Sequence, residues 1–172
     1  MKKLIFISAA LLLTFTIVLG QATNSSITTV STKHHEHWGK KALRYGLFAL
    51  AGYAEGVNDV ISFHYDAFKK VHPGASDSYW NPSESWKNKY ANYDEGNKSE
   101  KFPLSTSVLV FATDGFHMTN MVDHLSMIGA ATITIPLDGK KRPLKWYVKE
   151  LICSYVANRA GFYLSYNVIY GR

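Results

Sequence analysis

Apolar positions recur at three- and four-residue steps over most of the chain from residue 37 onward, which is the repeat of helices with one buried side. Leu43, Leu47, Leu50, Ala54, Val57, Ile61 and Phe68 form one such stripe and predict a long helix over about 38–70, closed by the Pro73–Gly74 turn. A second helix is expected over 105–132, after Pro103, and a third over 144–169. Between them Pro136–Pro143 reads as a turn, with Asp138-Gly139 at the bend. Ala131–Ile135 alternates and is β-branched, so a short extended piece is the other reading of that tail. Residues 75–103 are crowded with polar and aromatic side chains and predict an ordered loop, with Tyr79, Trp80 and Trp86 covering one end of the helices. The expected fold is all-α: a small helical bundle of three long helices plus an ordered aromatic loop, in a single domain over 37–172.

The start of the chain follows another pattern. Met1, Lys2 and Lys3 precede an apolar run from Leu4 to Leu19 that closes at Gly20, the order of a secretory signal peptide over 1–20. Cleavage is expected near Gly20 or Ala22, leaving 21–36 as a flexible, Ser/Thr-rich N-terminus. If the leader is retained, the same run becomes an anchor helix. Either way the chain is placed in the bacterial periplasm or at the inner membrane.

Charge narrows the partners. The chain carries a formal +6, and removing Lys2 and Lys3 with the leader leaves 17 cations against 13 anions. The cations are scattered rather than gathered in a stripe, so no nucleic acid is expected, and a membrane surface or another envelope protein fits better. Eleven tyrosines and four tryptophans suit either a core with polar tips or a membrane interface. One cysteine, Cys153, excludes an internal disulfide. The predicted helices carry Glu55, Asn58 and Asp59, then Asp114, His117, Asn120, Asp123 and His124, then Glu150, Asn158 and Arg159. At a few kcal/mol per charge in hydrocarbon, that load argues for a soluble or surface-bound domain. A small integral membrane protein whose polar residues line a pathway is the alternative.

The sharpest chemical pattern is Thr113-Asp114-Gly115-Phe116-His117, followed by Met121 and His124. At about 100° per residue, Asp114, His117, Met121 and His124 fall within roughly 80° of one another on a helix. A carboxylate and an imidazole three residues apart can share a metal ion, as di-metal bundle sites do with further carboxylates from facing helices. Glu55 and Asp59 supply such carboxylates, so Asp114, His117, Glu55 and Asp59 are the candidate ligands of a divalent metal ion. With Arg159 they are also the candidate catalytic residues. The competing reading is a buried network in which Glu55, Asp59 and Arg159 pair while His117 bonds to a carboxylate or tyrosine. His117 and His124 stand about 10 Å apart, too far to share an ion. His34-His35-Glu36-His37 reads as solvated linker, and Cys153 as a small buried thiol. No glycine-rich phosphate loop, Gly-x-Ser-x-Gly elbow, His-Glu-x-x-His or paired-cysteine motif occurs in the sequence.

Tyr79-Trp80-Asn81-Pro82, then Ser85-Trp86-Lys87-Asn88-Lys89-Tyr90, then Thr113-Asp114-Gly115-Phe116-His117 resemble a family of bacterial envelope proteins. Its members share a Trp-Asn-Pro, a Trp-Lys-Asn-Lys-Tyr and a Thr-Asp-Gly-aromatic-His element. The resemblance covers about residues 40–170 and implies an envelope location without a particular reaction. Asp114-x-x-His117 is similar, more remotely, to the Asp-Lys-x-x-His element of VanZ-like proteins and some periplasmic lipoproteins, with Gly115 where lysine is expected. Together these readings point to an exported protein with a structural or interaction role, and its polar cluster would fix helix register. A metal-dependent hydrolase or other metalloenzyme built on Asp114 and His117 is the alternative.

Overall fold

The computed structural model describes residues 38–94, 96, 99–135 and 142–172, so the expected leader, the segment 21–36 with its histidines, and most of the 136–143 turn lie outside the described residues. Helix α1 runs from Trp38 to Phe63 and α2 from Tyr65 to Val71. Two single turns follow, α3 over Asp77–Trp80 and α4 over Pro82–Ser85, and then short 3-10 turns. Helix α5 spans Gly115–Thr134 and α6 spans Leu144–Tyr163, the latter continuing as a π-helical segment over Leu164–Ile169. The all-α expectation holds: the described residues are mostly helical and contain no strand, only an isolated bridge between Tyr90 and Glu100.

The boundaries differ from the expected ones for local reasons. The helix expected over 38–70 is interrupted at His64, whose backbone leaves the helical region at φ −140° and ψ 44°. That break turns Ala67 and Phe68 into the apolar cluster of Val57, Val60, Ile61 and Tyr170. The second helix starts ten residues later than expected, because Asp114 is extended and caps Gly115 onward, while residues 105–113 form turns. Leu104, with φ 64°, marks the bend that the apolar run concealed. The β-branched tail is helical up to Thr134: Thr132 and Thr134 donate their hydroxyls to the carbonyls of Ile128 and Ala130, each at 2.8 Å.

Helix α1 is the central element, and α5 and α6 make their main contacts with it rather than with each other. Along α1, Tyr45 meets Glu150, Gly52 faces Asn158 and Gly56 faces Ser165, so α1 and α6 run parallel. Asn58 of α1 donates to Thr119 Oγ1 at 2.9 Å and to the Phe116 carbonyl at 3.0 Å. It stands about 200° around the helix from Gly56, which places α5 and α6 on opposite sides of α1.

Two interiors result. At the carboxyl end of α1, Phe68 is 3% exposed and stacks on Tyr170 and Trp80, and burying a side chain of that size contributes about 2–3 kcal/mol. His64 and His72 there meet the hydroxyls of Tyr166 and Tyr170 at 2.9 and 3.1 Å, tying α2 to the chain end. At the amino end the interior is polar and small: Arg44, Ala51, Gly52, Glu150 and Ser154 are buried. A Cβ built at Gly161 would stand 1.9 Å from the Ala49 carbonyl oxygen, and one at Gly52 1.9 Å from that of Asn158. The α1–α6 contact is therefore backbone against backbone, which only glycine permits.

Candidate functional site

Asp114 and His117 are brought together as their spacing predicts. Asp114 is 1% exposed and caps α5, accepting the His117 backbone N–H at 2.8 Å. Its carboxylate also receives the His117 ring Nδ1–H at 2.8 Å and the Thr113 hydroxyl at 3.0 Å. Burial pushes the Asp114 carboxyl up, but the bonds from the His117 ring and backbone, the imidazole's charge and the Thr113 hydroxyl outweigh it. The net effect is a pKa below the ordinary carboxylate value. With Nδ1 engaged, the imidazole presents Nε2 on a side chain that is 30% exposed.

The sequence elements Tyr79–Pro82, Ser85–Tyr90 and Thr113–His117 meet at this point. Gly115 lies under the Trp80 ring, where a Cβ would come within 2.2 Å of it. Asn81 accepts the Ser83 backbone N–H at 3.1 Å and so starts α4. Asn88 donates its side-chain amide to the Thr113 carbonyl at 3.0 Å and to that of Ser78. The Lys89 carbonyl accepts the buried Ser105 hydroxyl at 2.7 Å, and Ser105 in turn receives the Lys101 N–H. Tyr79 lies near the Asp114 charge, and burial together with that charge raises its phenol. The motifs thus form one polar and aromatic knot that anchors the loop to the start of α5.

The other expected site residues lie elsewhere. Glu55 is half-exposed and faces Arg159 at 3.9 Å, with Asp59 and Asp123 as electrostatic neighbours. The guanidinium of Arg159 also stacks on the Phe162 ring at 4.1 Å. Both partners of the Glu55–Arg159 pair are 43% exposed, so the buried network expected from these residues is a surface pair worth no more than about 1 kcal/mol. Nor is the expected ligand set of Asp114, His117, Glu55 and Asp59 assembled: no three His, Cys, Asp or Glu side chains among the described residues group to hold a metal ion. Geometry gives the reason, since Glu55 and Asp59 lie along α1 while Asp114 turns back into the knot at the start of α5.

The deepest ion pair among the described residues joins Arg44, 0% exposed, to Glu150 at 2.6 Å, and the Tyr45 hydroxyl donates to the same carboxylate at 2.8 Å. Sequence reasoning missed this pair. Its signal was there: Arg44, Leu47, Ala51, Ala54 and Asn58 follow one helical line, as do Glu150, Ser154, Gly161 and Ser165.

Chemically, the Asp114–His117 pair can orient an imidazole as a proton acceptor. Neither residue lines the concavities at Leu144–Cys153 or Asp66–Arg172. The bonds of Asp114 all serve its own helix start, so its loss is read as a stability effect. Asp114→Ala is expected to cost about 2 kcal/mol, from the cap and the charged hydrogen bond together. Because the folded carboxyl titrates below its ordinary value of 3.8, this contribution is complete above that value and is lost as pH falls through the lowered one. Asp114→Asn should therefore flatten the acid limb of a stability-versus-pH curve from urea denaturation; an unchanged limb would remove Asp114 from the knot.

Comparison with protein-family models, with curated proteins and with solved structures gives no match for this chain.

Proposed function

We propose that the protein is a non-enzymatic envelope protein that docks through the outward faces of α5 and α6. The knot around Asp114 and His117 and the Arg44–Glu150 pair hold the docking layer in shape. One observation carries this reading: α6 is turned inside out. Glu150, Ser154, Gly161 and Ser165 face inward, while Leu151, Ile152, Tyr155 and Val156 face outward at 57–72% exposure. Helix α5 repeats the arrangement, with Thr119, Ser126 and Ala130 buried and Leu125, Met127 and Ile128 exposed. Contiguous apolar surface of this kind marks an interaction site. The leader-like start of the sequence and its modest positive charge support an envelope location.

The test is thiol accessibility in freshly opened cells, using Ile152→Cys and, separately, Asn92→Cys in a Cys153→Ser chain. A polar maleimide should label position 92 rapidly and position 152 at least tenfold more slowly, until the protein is denatured. Equal labelling rates would show an uncovered face and end the docking proposal.

A further inference from the structure

Building on the docking reading, we infer that the cover over α5 and α6 is a lipid bilayer with anionic headgroups, into which the three-helix layer is partly inserted. The apolar surface is not one patch. Because α5 and α6 flank α1 on opposite sides and each turns its apolar residues away from it, apolar surface lies on two opposite edges of the layer. A single partner or a second copy covers one edge, whereas lipid covers both at once.

The contacts inside the layer are of the kind that hold helices together in lipid. Burial of apolar side chains cannot drive helices together where the solvent is itself apolar, so association there relies on small residues and close backbone approach. The α1–α6 seam is built that way, on Gly52, Gly56 and Gly161. Polar groups on the outer side of α5 are satisfied within the helix: exposed His124 meets the Asn120 carbonyl through Nδ1 at 2.7 Å, and exposed Thr132 bonds to Ile128. Each such bond leaves one polar group fewer to be satisfied by solvent.

Charge fixes the lipid class and the orientation. Parallel α1 and α6 bring their amino ends together, so Trp38, Lys40 and Lys41 share one end of the layer with Lys145, Trp146 and Lys149. Indole rings and long cationic side chains favour the headgroup level, and the cations favour anionic lipid. No helix among the described residues is long and apolar enough to cross a membrane, which is why the layer is assigned partial insertion.

The apolar run Leu4–Leu19 would tether the full chain to vesicles by itself, so dye position, not binding, is the readout. The full chain carrying Cys153→Ser and Ile152→Cys is labelled with an environment-sensitive dye and mixed with vesicles of phosphatidylcholine and phosphatidylglycerol. Its emission should shift to the blue and fall by more than half when the acyl chains are brominated, while dye on Asn92→Cys stays water-like and unquenched. Replacing phosphatidylglycerol by phosphatidylcholine should reduce the shift. A blue-shifted dye that brominated lipid leaves unquenched, with a disulfide forming between two chains that carry Ile152→Cys, would overturn the lipid assignment and leave docking standing, with a second copy as the cover. A water-like dye at position 152 would overturn both.

Discussion

Replacing Glu150 by alanine is expected to destabilise the fold by about 3–5 kcal/mol, the largest effect of any single change considered. The reason lies in Arg44, which is 0% exposed and meets the Glu150 carboxylate at 2.6 Å. Removing that carboxylate takes a counter-charge at 2.6 Å from a guanidinium inside the helix layer, and the Tyr45 hydroxyl loses its acceptor as well. Two charges removed together cost far less than one, because an apolar pair of similar size needs no counter-charge. Arg44→Met combined with Glu150→Leu should recover most of the loss. Chemical denaturation of the single and double variants decides the point, and equal instability in both would show that the pair is not what matters at this seam.

The second large effect is expected at Gly161. Leucine is a better helix former than glycine by close to 1 kcal/mol, so propensity alone predicts stabilisation. Packing predicts the reverse: the first added carbon would stand 1.9 Å from the Ala49 carbonyl and 3.0 Å from the Tyr53 nitrogen, and backbone cannot step aside as a side chain can. Gly161→Leu should therefore destabilise by about 3 kcal/mol or more, while Ala160→Leu, on the exposed side of the same helix, should be nearly neutral. Thermal unfolding of the two variants side by side separates packing from propensity. A tolerated leucine at 161 would mean that α1 and α6 do not approach as closely as described.

Periodicity made the helices legible in the sequence, and spacing made the Asp114–His117 contact legible. The stripe on α1 is buried at Leu47, Ala54, Val57 and Ile61. What the stripe of α6 does not reveal is its sign. Leu151, Ile152, Tyr155 and Val156 on one side, with Glu150, Ser154, Gly161 and Ser165 on the other, define an amphipathic helix, and water as the assumed solvent puts the wrong side inward. The Arg44–Glu150 pair was hidden for the same reason, since a charge beside an apolar line reads as solvated. The late start of α5 was hidden because Val108, Leu109, Val110 and Phe111 continue an apolar run without continuing a helix. Glu55 and Asp59 were assigned to Asp114 on helical phase alone, which carries no information about where along two helices their faces meet.

The parallel pairing of α1 with α6 also dictates an order of assembly. Its contacts join residues 105 and 110 positions apart, as in Tyr45–Glu150 and Phe48–Asn158, whereas the α1–α5 contact at Asn58–Thr119 spans 61. Longer loops close later, and α6 leaves the ribosome after α1 and α5. Until it arrives, the glycine seam of α1 stands open, so a nascent chain that stalls before residue 150 keeps Arg44 in water rather than against Glu150. The protein thus commits to its inverted interior only once α6 has been synthesised.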